Sequence, residues 1–295
     1  MTLGTYLENT GLELEDIYAG GHSWSEMRRE VGLDAGDPGP DETAMLRAVG
    51  RLLHVDDDER LEAYPRFLRS TVPPAVETLS LREQRLLRML AASLTTLGTS
   101  SSVDAALAQL WAHPQVRDEL VEMLELLPTR VAFLDQPLGL HAPSPLNLHS
   151  RYTRPEILAA FGVGDGSRPP TWQTGVWWEP RSETDLFAFT LDKSVGGFSP
   201  TTRYRDYAIS PELIHWESQS ATSSASQTGQ RYIHHSERGT NVVLFARLRT
   251  TDRAFWCLGP ASYVSHEGDR PIAFVWRLHK HLPAELYTSF AAAVA

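Results

Sequence analysis

The chain reads as an α+β protein: a helical N-terminal domain followed by a mostly antiparallel β domain, either open or curled into a partly closed barrel. Up to about position 135, apolar residues recur at helical spacing. Beyond about position 170 the apolar runs are short, rich in Val, Phe, Trp and Tyr, and cut by Gly, Pro, Asp and Ser. Six of the eight Trp fall in this second half. The boundaries that follow are a helical domain at 1–135, a linker at 136–150 containing three Pro, and a β-rich recognition domain at 151–295.

The helices follow in order. Thr2 to Asn9 and Ser23 to Val31 have short amphipathic spacing. Asp41 is placed to cap a helix reaching His54, with Ala44, Leu46, Val49, Leu52 and Leu53 on one side. The Asp56-Asp57-Asp58-Glu59 run puts negative charge where the next helix begins and its dipole favours it. Ser80 caps Leu81 to Leu97, and Ser102 or Asp104 opens a helix to His113. Pro114 starts Gln115 to Leu127, which Pro128 ends. Thr153 and Pro155 then begin a short helix over Arg154 to Phe161. The strands are TGVWWEP, DLFAFTLD, NVVLFARLRT, AFWCLGPASYVSH and PIAFVWRLHK. The polar run at 218–230 reads as a loop over a site.

Composition limits the function. A chain with 42% hydrophobic and 22% charged residues is ordinary globular material. It holds no apolar run of membrane-spanning length and no signal-peptide pattern, so a cytoplasmic protein without membrane contact is expected. One cysteine, Cys257, excludes an intrachain disulfide and a cysteine-cluster zinc site. Net charge is −10, but its distribution is uneven. Residues 1–150 hold 12 Arg and no Lys against 23 acids, whereas 151–295 hold 13 Arg and two Lys against 14 acids. An acidic first half is the solvated face of a helical domain or a surface for a basic partner. A near-neutral second half has room for a local basic groove.

The chemistry concentrates between Thr201 and His235, where aromatic, amide and imidazole groups are interspersed with small polar residues. Tyr204, Tyr207, Trp216, Ser218, Gln219 and Tyr232 form an aromatic-plus-amide set suited to a planar group such as a base. In a strand over Ile214 to Ser218, Trp216 and Ser218 share a face with Ile214, and His215 and Glu217 take the other. Lys193, Arg203, Arg205 and Arg231 are candidates for adjacent phosphates. Asp206 and Glu217 offer a rival reading as a Mg²⁺-dependent nuclease pair, with Gln219 where a Lys is expected. The bland alternative has Asp206 binding backbone or an Arg and Glu217 facing solvent. His215, His234, His235 and Glu237 are candidate metal ligands, but if their segment is a strand His234 and His235 point to opposite faces, and no metal or other cofactor is expected. No Walker A, GxSxG or HExxH motif occurs, so the chain carries no ATP-driven motor.

Six segments carry a resemblance: Asp192-Lys193-Ser194, FSPTTRYRDYAIS at 198–210, HWESQS at 215–220, TGQRYIHH at 228–235, VLFAR at 243–247 and CLGPASYVSHEGDRPIAFVWRL at 257–278. In this order they resemble the domain of uncharacterised function at the C-terminus of certain bacterial superfamily 2 (DEAD/DEAH-box) helicases, which often carry a phospholipase-D-like nuclease domain. The likeness is strongest from Leu146 to Leu282 and extends to YLENTGLELEDIYAGGHSWSEMRREVGL at 6–33. It implies DNA recognition in restriction or phage defence, with modified bases or ends as ligands and a separate helicase or nuclease as partner. The expectation is therefore a DNA-binding module without catalysis. A nuclease and a protein-interaction module are the alternatives.

Overall fold

The computed structural model describes residues 1–33, 38–39, 41–94, 103–140, 143–164, 170–192 and 206–293. They form two compact units. The first comprises Met1–Asp135, Pro143–Pro145 and Pro155–Thr171; the second comprises Gln136–Ala142, Leu146–Arg154 and Trp172–Ala295.

Eight helices make most of the first unit: α1 (Leu3–Thr10), α2 (Leu14–Tyr18), α3 (Trp24–Glu30), α4 (Glu42–Val49), α5 (Asp58–Leu68), α6 (Leu81–Leu94), α7 (Val103–Trp111) and α8 (Pro114–Leu126). Their ends follow local chemistry. Asp57 caps α5 by accepting the Arg60 N–H at 2.9 Å. Before α6, Ser80 Oγ accepts the Glu83 N–H while Glu83 accepts the Ser80 N–H at 3.0 Å, a reciprocal capping box. Asp41 departs from expectation. It precedes α4 with φ of 64° and makes no side-chain cap bond; the Gly39 N–H goes to Glu42 instead. The predicted α6 extension over 95–97 and the Ser102 cap lie outside the described residues. In the core, Leu61, Tyr64 and Phe67 of α5 are buried, as are Leu87 and Leu90 of α6 and Leu120 and Met123 of α8; α5 packs on both of those helices.

Two buried polar centres tie this unit together. Glu119 on α8 accepts the backbone N–H groups of Trp24 and Ser25, each at 2.8 Å, and the Tyr18 hydroxyl at 2.9 Å. It thereby satisfies donors at the start of α3 that helix geometry leaves unpaired. Arg60 has no exposed surface. Its guanidinium bonds Asp57, meets Glu156 at 3.0 Å and reaches Asp56 at 3.4 Å. Glu156 lies on α9 (Arg154–Ala160) and also meets His54 at 2.7 Å.

The second unit is built on an eight-stranded sheet of β1 (Arg151–Tyr152), β2 (Val176–Glu179), β3 (Thr184–Asp192), β4 (Tyr207–Ala208), β5 (Leu213–Glu217), β6 (Asn241–Arg249), β7 (Phe255–Glu267) and β8 (Ala273–Leu278). Strand order is β2-β3-β6-β7-β8-β5-β4, with β1 pairing separately on β7. All pairings are antiparallel except β3 with β6. The sheet is open, with β2 and β4 at its ends, which corrects the partly closed barrel. β7 is long enough to pair with β6 at its start and β8 at its end, and bulges interrupt both ladders. The Pro-containing run at 136–150 is folded back on itself: Leu138 N–H donates to Leu146 O at 3.1 Å, and Leu146 to Ser150 are buried.

Two helices complete this unit: α10 (Gln227–Ile233) and α11 (Ala284–Ala292). α10 begins inside the run 218–230, where a loop is expected. Ser226 caps it through the Gly229 N–H at 3.0 Å. A Cβ on Gly229 would lie 2.2 Å from Ser223 O, so this close turn accepts only glycine.

Candidate functional site

Strand β5 alternates as its sequence dictates, with Ile214, Trp216 and Ser218 buried and Leu213, His215 and Glu217 half-exposed. The inward residues meet an aromatic core. Trp216 stacks on Phe187 at 4.2 Å between ring centroids, and Tyr232 from α10 meets Phe187 edge-on at 4.9 Å. Phe274 and Trp276 of β8 complete the cluster. Trp216 and Tyr232 are only 3% and 1% exposed. Burial also pushes the Tyr232 hydroxyl up from its ordinary pKa.

These positions correct the sequence-based site. Trp216 and Tyr232 are core residues, since their ring surfaces are already covered by neighbouring rings and no face is left for a base. Ser218 is fully buried and extends the β5–β8 ladder: its N–H donates to Ile272 O, and its hydroxyl accepts the Ile272 N–H, both at 2.9 Å. Arg231 does not await phosphate. Its fork is filled by Asp185 at 2.6 and 2.8 Å, and it lies 4.2 Å over the Trp178 ring. Burial holds the Asp185 carboxyl above its ordinary range, opposed by the Arg231 hydrogen bonds.

The carboxylates and imidazoles are likewise occupied. Asp206 is 3% exposed and accepts the Glu217 backbone N–H at 2.9 Å, fixing the start of β4 against the end of β5. That is a structural use of Asp206, and it removes one oxygen of the proposed nuclease pair. His235 is buried against Trp276; its Nε2 accepts the Tyr263 N–H at 3.0 Å. Burial lowers its pKa, so the ring stays neutral. His234 meets Glu237 at 3.0 Å on the surface. Among the described residues, no three His, Cys, Asp or Glu side chains are grouped to hold a metal.

A half-exposed face runs across β4 and β5. Tyr207 and His215 are register partners, and their rings stack at 4.6 Å and 14°. Both are half-exposed. Glu217, two residues along the same face, is half-exposed too, and its carboxylate has no partner among the described residues. Gln219 follows the strand. Its backbone carbonyl accepts the Thr222 N–H at 2.8 Å, while its side-chain amide is uncommitted among the described residues. Val275, opposite His215, and Ala273, opposite Glu217, continue the face onto β8. Lys193, Arg203, Tyr204 and Arg205 lie outside the described residues.

A second cluster was not foreseen. Arg154, just after β1, and Arg247 of β6 both place their guanidinium over the Phe255 ring, at 5.3 and 4.7 Å. Arg154 also lies 5.5 Å from the Trp172 ring. Arg247 donates to Thr190 Oγ1 at 2.9 Å and to the Asp252 carbonyl at 2.5 Å. The Asp252 carboxylate is turned instead to the Arg249 N–H at 2.8 Å. Arg154 reaches only the Trp172 and Ala188 carbonyls, both at 3.5 Å, and its buried Nε has no partner. Among the described residues, neither guanidinium meets a carboxylate. Burial pulls Arg154 down to about 10, and the neighbouring Arg247 charge adds to this. Arg247 is lowered by burial as well. The sequence carried little signal: β6 is buried at every position from Val242 to Ala246, so alternation assigns Arg247 to neither face.

The second unit is thus an open α+β sheet domain with a half-exposed aromatic face and an arginine pair that, among the described residues, bonds no carboxylate. Residues 146–290, which take in most of this unit and the Pro155–Thr171 segment of the first, match the family model described as Domain of unknown function (DUF3427). No curated protein matches the chain.

Proposed function

We propose that the sheet unit is a nucleic-acid recognition module, with DNA as its ligand. The observation that carries this reading is the stacked Tyr207–His215 pair on the half-exposed face of the short edge strand, beside the uncommitted groups of Glu217 and Gln219. Stacked planar rings on a sheet face offer a base a π-surface, and an amide at the strand end offers donors and acceptors for its edge. The residues just before Asp206 in the chain, Arg203-Tyr204-Arg205, supply cationic and aromatic groups in sequence next to that pair. The resemblance to helicase-associated C-terminal domains favours a setting in restriction or defence, where modified bases or ends are the ligands and a separate helicase or nuclease does the work. The hydrogen bond from Glu217 N–H to Asp206 speaks against the Mg²⁺-dependent alternative.

The test is fluorescence anisotropy of the full chain with labelled single- and double-stranded DNA, plain and cytosine-modified, across a salt series without Mg²⁺. Binding that weakens with salt and prefers one oligonucleotide is expected. Tyr207→Ala and His215→Ala should each weaken it about tenfold, since base stacking on an aromatic ring contributes ~1–3 kcal/mol. No binding at low salt would overturn the reading in favour of a protein-interaction module docking on a helicase or nuclease partner.

A further inference from the structure

The other deeply placed arginines of this protein are held in different ways: among the described residues Arg117 bonds only the Leu68 and Ser70 carbonyls, whereas two others meet carboxylates. Arg60 meets Asp57, Glu156 and Asp56, and Arg231 meets Asp185. Arg154 and Arg247 differ from all of these in placing two positive charges over one Phe255 ring, with no carboxylate bonded to either among the described residues. Removing like charges from water without a counter-charge is unfavourable, and a fold keeps such an arrangement where an anion completes it.

We propose that Arg154 and Arg247 form an oxyanion site that takes a phosphate monoester. Two guanidinium forks match the nearly two negative charges of a monoester at neutral pH better than the single charge of a carboxylate or an internal phosphodiester. The donors are in place. Arg154 has an unpartnered Nε and two long contacts to carbonyls that a phosphate oxygen would replace. Thr190 accepts from Arg247 Nε, which leaves its hydroxyl proton for a phosphate oxygen. Parallel pairing of Thr190 with Arg247 fixes two of these groups on adjacent strands. Both arginines are half-buried, so a ligand can reach them from solvent while part of the surrounding water is excluded. The lowered pKa values of both guanidiniums agree with this geometry: burial lowers each, the Arg247 charge lowers Arg154 further, and the Asp252 carboxylate offsets burial only in part at Arg247.

A phosphate monoester can come from a free phosphate or nucleotide, or from the 5′ end of a nucleic acid. Isothermal titration of the full chain with inorganic phosphate, a nucleoside 5′-monophosphate, and matched oligonucleotides bearing 5′-phosphate or 5′-hydroxyl separates these sources. Saturable phosphate binding is expected, weakened at least tenfold in Arg247→Gln and Arg154→Gln and unchanged in Arg238→Gln, a change at an exposed site. A 5′-phosphate preference among oligonucleotides assigns the site to nucleic-acid ends; binding of the small phosphates without that preference assigns it to a free ligand. Phosphate binding without any oligonucleotide binding keeps this site while removing the DNA reading. Absence of binding to every phosphate species in the unaltered protein, or equal affinity in a folded Arg247→Gln, would overturn it. If Arg247→Gln does not fold, Arg247→Lys keeps the charge but loses the fork, and undiminished binding there also counts against the site.

Discussion

Arg60 in the helical unit and the Arg154–Arg247 pair in the sheet unit are two opposite ways to take a guanidinium out of water. Arg60 is completely buried and surrounded by acids, one of which, Glu156, also holds His54. Arg154 and Arg247 are half-buried, share an aromatic ring, and meet only carbonyls and a hydroxyl. The first arrangement is complete within the chain and serves the fold. In the second, among the described residues, no carboxylate bonds either guanidinium, and the proposed oxyanion would supply that charge.

Stability measurements can break this comparison. Arg60→Ala should have the largest effect, because it leaves the Asp57 and Glu156 carboxylates buried without their cation; urea unfolding should show a loss of about 3–5 kcal/mol. Trp216→Ala should cost about as much, on the order of 3–5 kcal/mol, because it empties the cluster around Phe187. This outcome also checks the reassignment of Trp216 from ligand contact to core.

A smaller effect is expected from pH. Burial holds His149 down to about 4 and lowers His235 as well. Both are protonated in the unfolded chain below about pH 6.5 while they remain neutral in the fold. Their contribution is therefore complete above that pH and is lost as pH falls from 6.5 towards 4, by roughly 2 kcal/mol in denaturant titrations. Stability that stays flat across that window would contradict the buried neutral imidazoles. The smallest effect sharpens the comparison most. Arg154→Met without ligand should stay within about 1 kcal/mol of the unaltered protein, because among the described residues it strands no carboxylate and its only hydrogen bonds to give up are two long carbonyl contacts. A loss as large as that of Arg60→Ala would show Arg154 to be structural.

Five strands are legible as short runs rich in Val, Phe, Trp and Tyr cut by turn residues, while the two-residue β1 and β4 are not. Ile214, Trp216 and Ser218 were assigned to one face of β5 from spacing alone, and they are the buried ones. What that face touches was not legible. The polar density between Thr201 and His235 suggested ligand contacts, yet Asp206, Ser218 and His235 spend their polar atoms on backbone groups across the sheet. Helix α10 was missed because QTGQRYI has little apolar periodicity; its cap at Ser226 and the tight approach of Gly229 to Ser223 set it instead. Arg154 and Arg247 are 93 positions apart in the chain, so their meeting over Phe255 is a product of the folded sheet. The absence of a carboxylate between them leaves no trace in local pattern.

The most direct measurement is anisotropy of labelled DNA against the full chain and its Tyr207→Ala variant at low salt. Salt-sensitive binding that falls about tenfold in the variant, with unfolding free energy held within about 1 kcal/mol, is the result expected from a stacking surface on β4 and β5. Equal affinity in the two proteins, or none in either, would contradict nucleic-acid recognition by this face.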